Sequence, residues 1–193
     1  IDVVGALLLL ALALPLIAVG ALGTKLTVGG PVLFRQVRVG RGGQRFVMLK
    51  LRTFPVDHVD RLESVPHDAC PTRWGRLLRR SSIDELPQLW NVLKGDMSLV
   101  GPRPERPHAA NVLAATLPDY RDRHRAPAGI TGLAQVRGLC GPTSIVERVS
   151  ADNEYVEGWT LWRDLRLLLI GSGPDAEELR QRLETMRAPR EEM

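Results

Sequence analysis

Cysteine, lysine and aromatic residues are all scarce in this sequence, and each scarcity closes off a class of protein. Cys70 and Cys140 are its only cysteines and no Cys-x-x-Cys pair occurs. Neither a disulfide framework nor a structural zinc site is therefore expected, and a reduced, cytoplasm-facing environment fits. The four histidines, at 58, 67, 108 and 124, show no metal-ligand spacing. No Gly-Lys-Ser/Thr phosphate loop is present, and the glycines near position 40 precede no helical pattern. Aromatic residues make up 5% of the chain, and no nucleic-acid reader motif accompanies its basic arm, so nucleic acid is not an expected partner. Only Lys25, Lys50 and Lys94 are lysines among 26 basic residues; the guanidinium groups that dominate favour bidentate contacts to phosphate and carboxylate. With 193 residues and a net charge of +4, the chain is long enough for one domain with its own core.

Charge is missing altogether between Asp2 and Lys25, and Val3 to Leu22 is almost wholly apolar. As a straight helix this run would extend roughly 33 Å at 1.5 Å per residue, against a hydrocarbon core of about 30 Å. A membrane segment is expected. The absence of a basic region before the run, and of a small-residue cleavage site after it, argues against a cleaved signal peptide. Pro15 lies past its middle, with Gly20 and Gly23 beyond, so a kink is expected there. The residues alone leave two geometries open: a kinked span, or a broken helix that enters one leaflet and returns.

Acidic residues are missing next. From Lys25 to Arg52 the chain carries seven basic residues and no Asp or Glu, as the cytoplasmic flank of a membrane segment does. Such a run also suits anionic lipid. Residues 31–39 and 44–54 are rich in Val, Leu and Phe around a glycine-rich centre, which predicts a β-hairpin. Lys50 and Arg52, two apart on the second strand, share a face and can clamp one anion.

What the chain does have is a dense block at residues 79–104. Leu86, Leu89, Trp90 and Leu93 recur at helical spacing and Lys94-Gly95 closes the helix. Its start has two readings: Ser82 as N-cap of a capping box with Glu85, or Asp84 as N-cap, which places Pro87 where no hydrogen bond is lost. Either way the Asp84-Glu85 pair sits at a helix N-terminus beside Arg79 and Arg80. The pair can simply cap the helix. Alternatively, an Asp held ionised by that helix end and the arginines is a competent nucleophile toward phosphorus. After the helix, Arg103 lies between Pro102 and Pro104, which leaves it little backbone freedom.

Elsewhere, residues 55–71 read as a loop of the kind that borders a substrate site, residues 76–80 as a short basic helix, and residues 111–125 as a helix interrupted at Pro118. Residues 128–138 read as a turn and short strand. Residues 159–170 form either an interfacial helix with tryptophans at headgroup depth or an ordinary packed one. The last twenty residues read as a frayed, charged tail.

Together the segments GGPVLFRQVRVGRGGQRF, MLKLRTF, LLRRSSIDELPQLWNVLKGDMSLVGPRPERP, GITGLAQVRG and DNEYVEGWTLWRDL resemble the bacterial sugar transferases, the monotopic phosphoglycosyl transferases. The resemblance covers almost the whole chain. It implies an α+β fold, predominantly helical with a short β-hairpin, in which an N-terminal re-entrant membrane helix (residues 1–24), broken at Pro15, precedes a cytoplasmic catalytic domain (25–170) and a charged tail (171–193). Leu14 stands where some members have Ser, and Ala128 where many have Pro. The implied activity is transfer of sugar 1-phosphate from a UDP-sugar to polyprenyl (undecaprenyl) phosphate at the bacterial inner membrane, initiating glycan assembly. Asp84 resembles the nucleophile that forms a covalent phosphosugar intermediate with release of UMP. Glu85 resembles the ligand of a Mg²⁺ cofactor. Lys50, Arg52, Arg79 and Arg103 match basic positions that hold phosphates, and Gln135 is a further substrate-binding candidate. Homo-oligomerisation is left open. The competing reading is a non-catalytic, membrane-anchored module that binds anionic lipid, with Asp84 and Glu85 serving as caps.

Overall fold

The computed structural model describes residues 2–55, 71–139 and 144–171. The expectations for the loop at 55–71 and the tail at 171–193 fall almost entirely outside these residues, as do Cys70 and Cys140. Within them the chain is mostly helical, with two small two-stranded sheets and one long apolar N-terminal helix.

That helix, α1 (Asp2–Thr27), runs on through Pro15, so the break expected there is not found. A proline deletes one intrahelical donor and crowds the preceding turn, but the Leu- and Ala-rich flanks are strong helix formers, and Leu14 has no hydroxyl to compete for the backbone. One stripe of α1 is built from small residues. Ala6, Ala13 and Gly20 recur every seven positions, and with Thr24 they are its buried residues. Small side chains let the helix lie close along the domain, where Ala6 and Ala13 join the main core with Met48, Leu89, Val92, Leu99 and Leu133. Both ends of α1 are tied to that one domain. At the start, the Asp2 carboxylate accepts hydrogen bonds from Ser98 Oγ at 3.1 Å and Leu99 N at 3.2 Å. Near the end, Trp74 Nε1 donates to Gly20 O at 3.3 Å and Thr24 Oγ1 to Arg52 O at 3.4 Å. The large side chains Leu8, Leu12, Leu14, Val19, Leu22 and Leu26 face outward.

The hairpin forms as expected, with β1 (Leu33–Val39) antiparallel to β2 (Arg45–Leu51). Gly42 and Gly43, both at positive φ, make the turn. The open edge of β2 is occupied by Asn91, whose side chain accepts from Leu49 N and donates to Val47 O, standing in for a third strand. Helix α2 (Arg73–Arg80) is capped by Thr72, which accepts from Gly75 N. It packs so close to the chain after β2 that a Cβ on Gly75 would run into the Thr53 carbonyl. Helix α3 (Gln88–Leu93) lies against α1 and β2.

Beyond it, β3 (Ser98–Val100) pairs in parallel with β4 (Gly129–Thr131). Between these strands, α4 (Pro107–Thr116) starts on a proline and gives way to a 3₁₀ turn at Tyr120–Arg125, so the interruption expected at Pro118 is present. Helices α5 (Leu133–Val136), α6 (Ile145–Glu157) and α7 (Leu161–Gly171) complete the described chain. Asp164 in the first turn of α7 accepts from both Tyr155 Oη (2.7 Å) and Trp159 Nε1 (2.9 Å). Glu154 takes Arg137 in a bidentate pair and also binds Arg163. Much of the segment DNEYVEGWTLWRDL is thus the wiring of the α6–α7 corner.

Candidate active site

Asp84 and Glu85 do not begin a helix. They lie in a 3₁₀ turn, Ile83–Glu85, entered through Ser82 in the left-handed region at φ 56°. Helix α3 starts later, at Gln88, with no side-chain cap. Both expected N-caps, Ser82 and Asp84, are therefore corrected: neither side chain caps the helix. Pro87 decides the boundary, because its ring fits before the first helical residue but not inside the ladder. Released from capping, Asp84 is 7% exposed as a residue and lines a cavity of about 530 Å³.

The same cavity gathers every residue singled out in the sequence: Lys50, Arg52, Arg79, Asp84, Glu85, Arg103 and Gln135 all line it. Strand β2 and its exit supply Lys50 and Arg52, α2 supplies Arg79, the proline-bounded segment supplies Arg103, and α5 supplies Gln135. Glu85 is the hub. Its Oε1 receives Lys50 Nζ at 2.6 Å and Arg103 Nη2 at 2.7 Å. Arg52 is buried, donates from Nε to Pro31 O at 2.9 Å and stacks over Phe34. Arg79 stacks over Phe54. The Gln135 amide is buried with neither its oxygen nor its nitrogen hydrogen-bonded.

Two acids side by side thus meet different fields. Burial alone would raise the Glu85 carboxyl, but Arg103 and Lys50 outweigh it and hold the group at about 2. Asp84 goes the other way. Burial is the largest influence and pushes it above the usual carboxylate range, with the Glu85 charge adding, while Lys50 and Arg79 pull it back only in part. The expectation that a helix end and arginines hold Asp84 ionised loses its helix end, since no helix starts there, while Arg79 still lowers the carboxyl together with Lys50. Lys50 itself is lowered, chiefly by burial.

The cavity also contains residues the sequence reading passed over. Phe34, Gln36 and Arg38 alternate along the inner face of β1, with Phe34 directly opposite Lys50. Pairing the two strands outward from the glycine turn would have found them. Arg148, paired with Glu105 at 3.4 Å, comes from α6 and carried no local signal. In all, the cationic side chains Arg38, Lys50, Arg52, Arg79, Arg103 and Arg148 face the carboxylates Asp84, Glu85 and Glu105. Such an excess suits a polyanion.

Among the described residues no three His, Cys, Asp or Glu side chains converge as a metal cluster. A hard cation still fits the donor set. Glu85 Oε2 has only a 3.5 Å contact to Arg103 Nη1, and Mg²⁺ commonly takes one or two carboxylates and completes its shell with phosphate oxygens and water.

Comparison with known proteins places these features in a wider set. A family model described as bacterial sugar transferase matches residues 1–172. The UDP-glucose:undecaprenyl-phosphate glucose-1-phosphate transferase of Caulobacter vibrioides is 51% identical over 175 residues, covering 88% of this chain and 66% of that protein. A protein of the same name from Xanthomonas campestris pv. campestris is 42% identical over 163 residues, 81% of this chain but 34% of the relative. The exopolysaccharide production protein PSS of Rhizobium leguminosarum bv. phaseoli is 38% identical over 180 residues, covering 86% of this chain and 88% of its own. The chain thus spans less than two thirds of the first two relatives.

Proposed function

The chain belongs to the bacterial sugar transferase family, and from that premise we propose that it transfers sugar 1-phosphate from a UDP-sugar to polyprenyl phosphate through a covalent intermediate on Asp84. The observation that carries this reading is a carboxyl group with no capping duty, buried at a cavity with a cationic excess, beside a second carboxylate that already occupies Lys50 and Arg103. In the first step an Asp84 oxygen attacks the β-phosphorus of the donor, and the bond from that phosphorus to the bridging oxygen breaks. UMP leaves with the electron pair. In the second, a phosphate oxygen of the polyprenyl acceptor attacks the same phosphorus and the Asp84 carboxylate is restored. A raised carboxyl is the more basic nucleophile once ionised, and the surrounding cations neutralise the anion it must approach. Arg79 and Arg103 hold phosphate oxygens, while the unpaired amide of Gln135 offers a donor and an acceptor to uracil or to sugar hydroxyls. Glu85 would hold Mg²⁺, which when bound supplies charge neutralisation at the diphosphate.

Membrane placement is part of the proposal. A straight spanning helix would put Asp2 and Thr24 on opposite sides of about 30 Å of hydrocarbon, whereas both ends of α1 are bonded to one domain. That supports a helix whose two ends both stay on the cytoplasmic face, lying along the domain with its outward leucines in lipid.

The test is an intact-mass measurement after mixing with UDP-glucose and Mg²⁺, together with UMP assay. The wild type should gain one phosphosugar and release UMP. Asp84→Asn should do neither while keeping its circular dichroism spectrum, since the side chain makes no cap that the amide would have to replace. Normal turnover by Asp84→Asn would end the reading. Release of UDP in place of UMP would point to direct glycosyl transfer.

A further inference from the structure

The proline-bounded segment that carries Arg103 is anchored in an unusual way. Pro104 has no N–H, and three successive carbonyls do the work instead. Arg103 O accepts from Arg123 Nη2 at 2.8 Å, Pro104 O from Arg38 Nη1 at 3.1 Å, and Glu105 O from Val39 N at 2.9 Å. The first of these anchors is the most deeply set. Arg123 and its partner Asp152, on α6, are each 1% exposed and meet at 2.6 Å. Arg123 also donates from Nη1 to Tyr120 Oη at 3.3 Å and lies over that ring.

We propose that Asp152 is a positioning residue for the candidate active site, acting through Arg123 on the main chain of Arg103; the proposal rests on the functional reading above. The flanking prolines fix φ at 102 and 104 and hold Arg103 in the extended region, within which its ψ still ranges over roughly 40°. Holding the Arg103 carbonyl sets that angle, and with it the direction from which the guanidinium reaches Glu85 at 2.7 Å. A fully buried ion pair is a poor device for stability alone, since apolar residues of similar volume commonly serve as well or better. Orientation of a neighbouring carbonyl is something an apolar pair cannot do. Asp152 orients Arg123, Arg123 holds Arg103, and Arg103 meets Glu85 beside the nucleophile.

A double-mutant cycle on kcat for UMP release tests this. Arg103→Ala sets the full defect. Asp152→Asn, nearly isosteric, should lower kcat by roughly 10- to 100-fold, the scale of an ångström-sized misplacement. The double variant should be no slower than Arg103→Ala alone, because both changes remove one function. Arg123→Lys, which keeps the charge against Asp152 but loses the fork, runs through the same cycle should Asp152→Asn fail to fold. Additive defects, or a folded Asp152→Asn or Arg123→Lys enzyme within two-fold of wild type, overturn the proposal and leave the functional reading intact. A wild type that releases no UMP removes the reading itself and the positioning role with it.

Discussion

At the scale of single residues, two buried acids give the molecule opposing pH responses. Glu85 sits at about 2 in the folded chain against an ordinary 4.5. Its pairing therefore stabilises fully above about pH 4.5 and is lost as pH falls toward 2, a contribution of roughly 3 kcal/mol. Asp152 has the reverse sign. Burial outweighs Arg123 and raises it from 3.8 to about 6; what it contributes is present below pH 4 and declines by roughly 3 kcal/mol as pH rises through 6. Urea unfolding of detergent-solubilised protein should show Glu85→Gln losing the stability drop between pH 4.5 and 2.5, and Asp152→Asn losing the decline between pH 4 and 6. An unchanged pH profile in either variant would contradict the assignment. The sequence singled out Lys50, Arg52, Arg79, Asp84, Glu85, Arg103 and Gln135, which meet at the cavity, but it passed over Arg38, Arg148 and Asp152 and disclosed the sign of neither shift. Glu85 finds its partners 35 positions before it and 18 after it, and Asp152 finds Arg123 from another helix, so the local neighbourhood held neither field.

At the scale of elements, several helices and the hairpin were legible because each writes its own signal: Leu spacing in α3, a basic run in α2, and Val, Leu and Phe around a glycine-rich centre in β1 and β2. Helix α4 was read from Asn111, whereas it starts at Pro107, inside what read as a connector. Helix α1 was legible in composition and misread in shape. Its apolar content announces a membrane, but the stripe of Ala6, Ala13, Gly20 and Thr24 that fastens it to the domain is visible only once the helix is known to continue past Pro15. The two faces should fail differently. Ala6→Leu forces a large side chain into a site with no exposure and should destabilise by about 1–3 kcal/mol, read as a lower Tm in detergent. Leu12→Asn, at a position 77% exposed, should leave that Tm within a degree or two and weaken retention in membranes. The topology is checked with Val3→Cys and Lys25→Cys. In oriented vesicles both should react with an impermeant maleimide from the cytoplasmic side; labelling from opposite sides would restore a spanning helix.

At the scale of the whole molecule, the outward leucines of α1 form one exposed apolar surface among the described residues. Another is on α7, where Leu167 and Ile170 are buried in the core while Trp162 is 81% and Leu169 79% exposed. Helix α7 packs on β3, the strand to which the start of α1 is hydrogen-bonded. An exposed tryptophan with an apolar stripe is the pattern of a helix seated at the membrane interface, the alternative the sequence left level with ordinary packing. If α7 rests on the bilayer, its outer face should matter for one half of the proposed reaction only. The donor arrives from water and the polyprenyl acceptor from lipid. Trp162→Ala combined with Leu169→Ser removes apolar surface without touching the cavity, so formation of the phosphosugar adduct in detergent should proceed within two-fold of wild type. Transfer to polyprenyl phosphate in vesicles should slow several-fold, and vesicle co-sedimentation should weaken. Equal loss in both half-reactions would mean that α7 supports the cavity instead of the lipid contact, and no loss in either would make its exposed face an incidental surface.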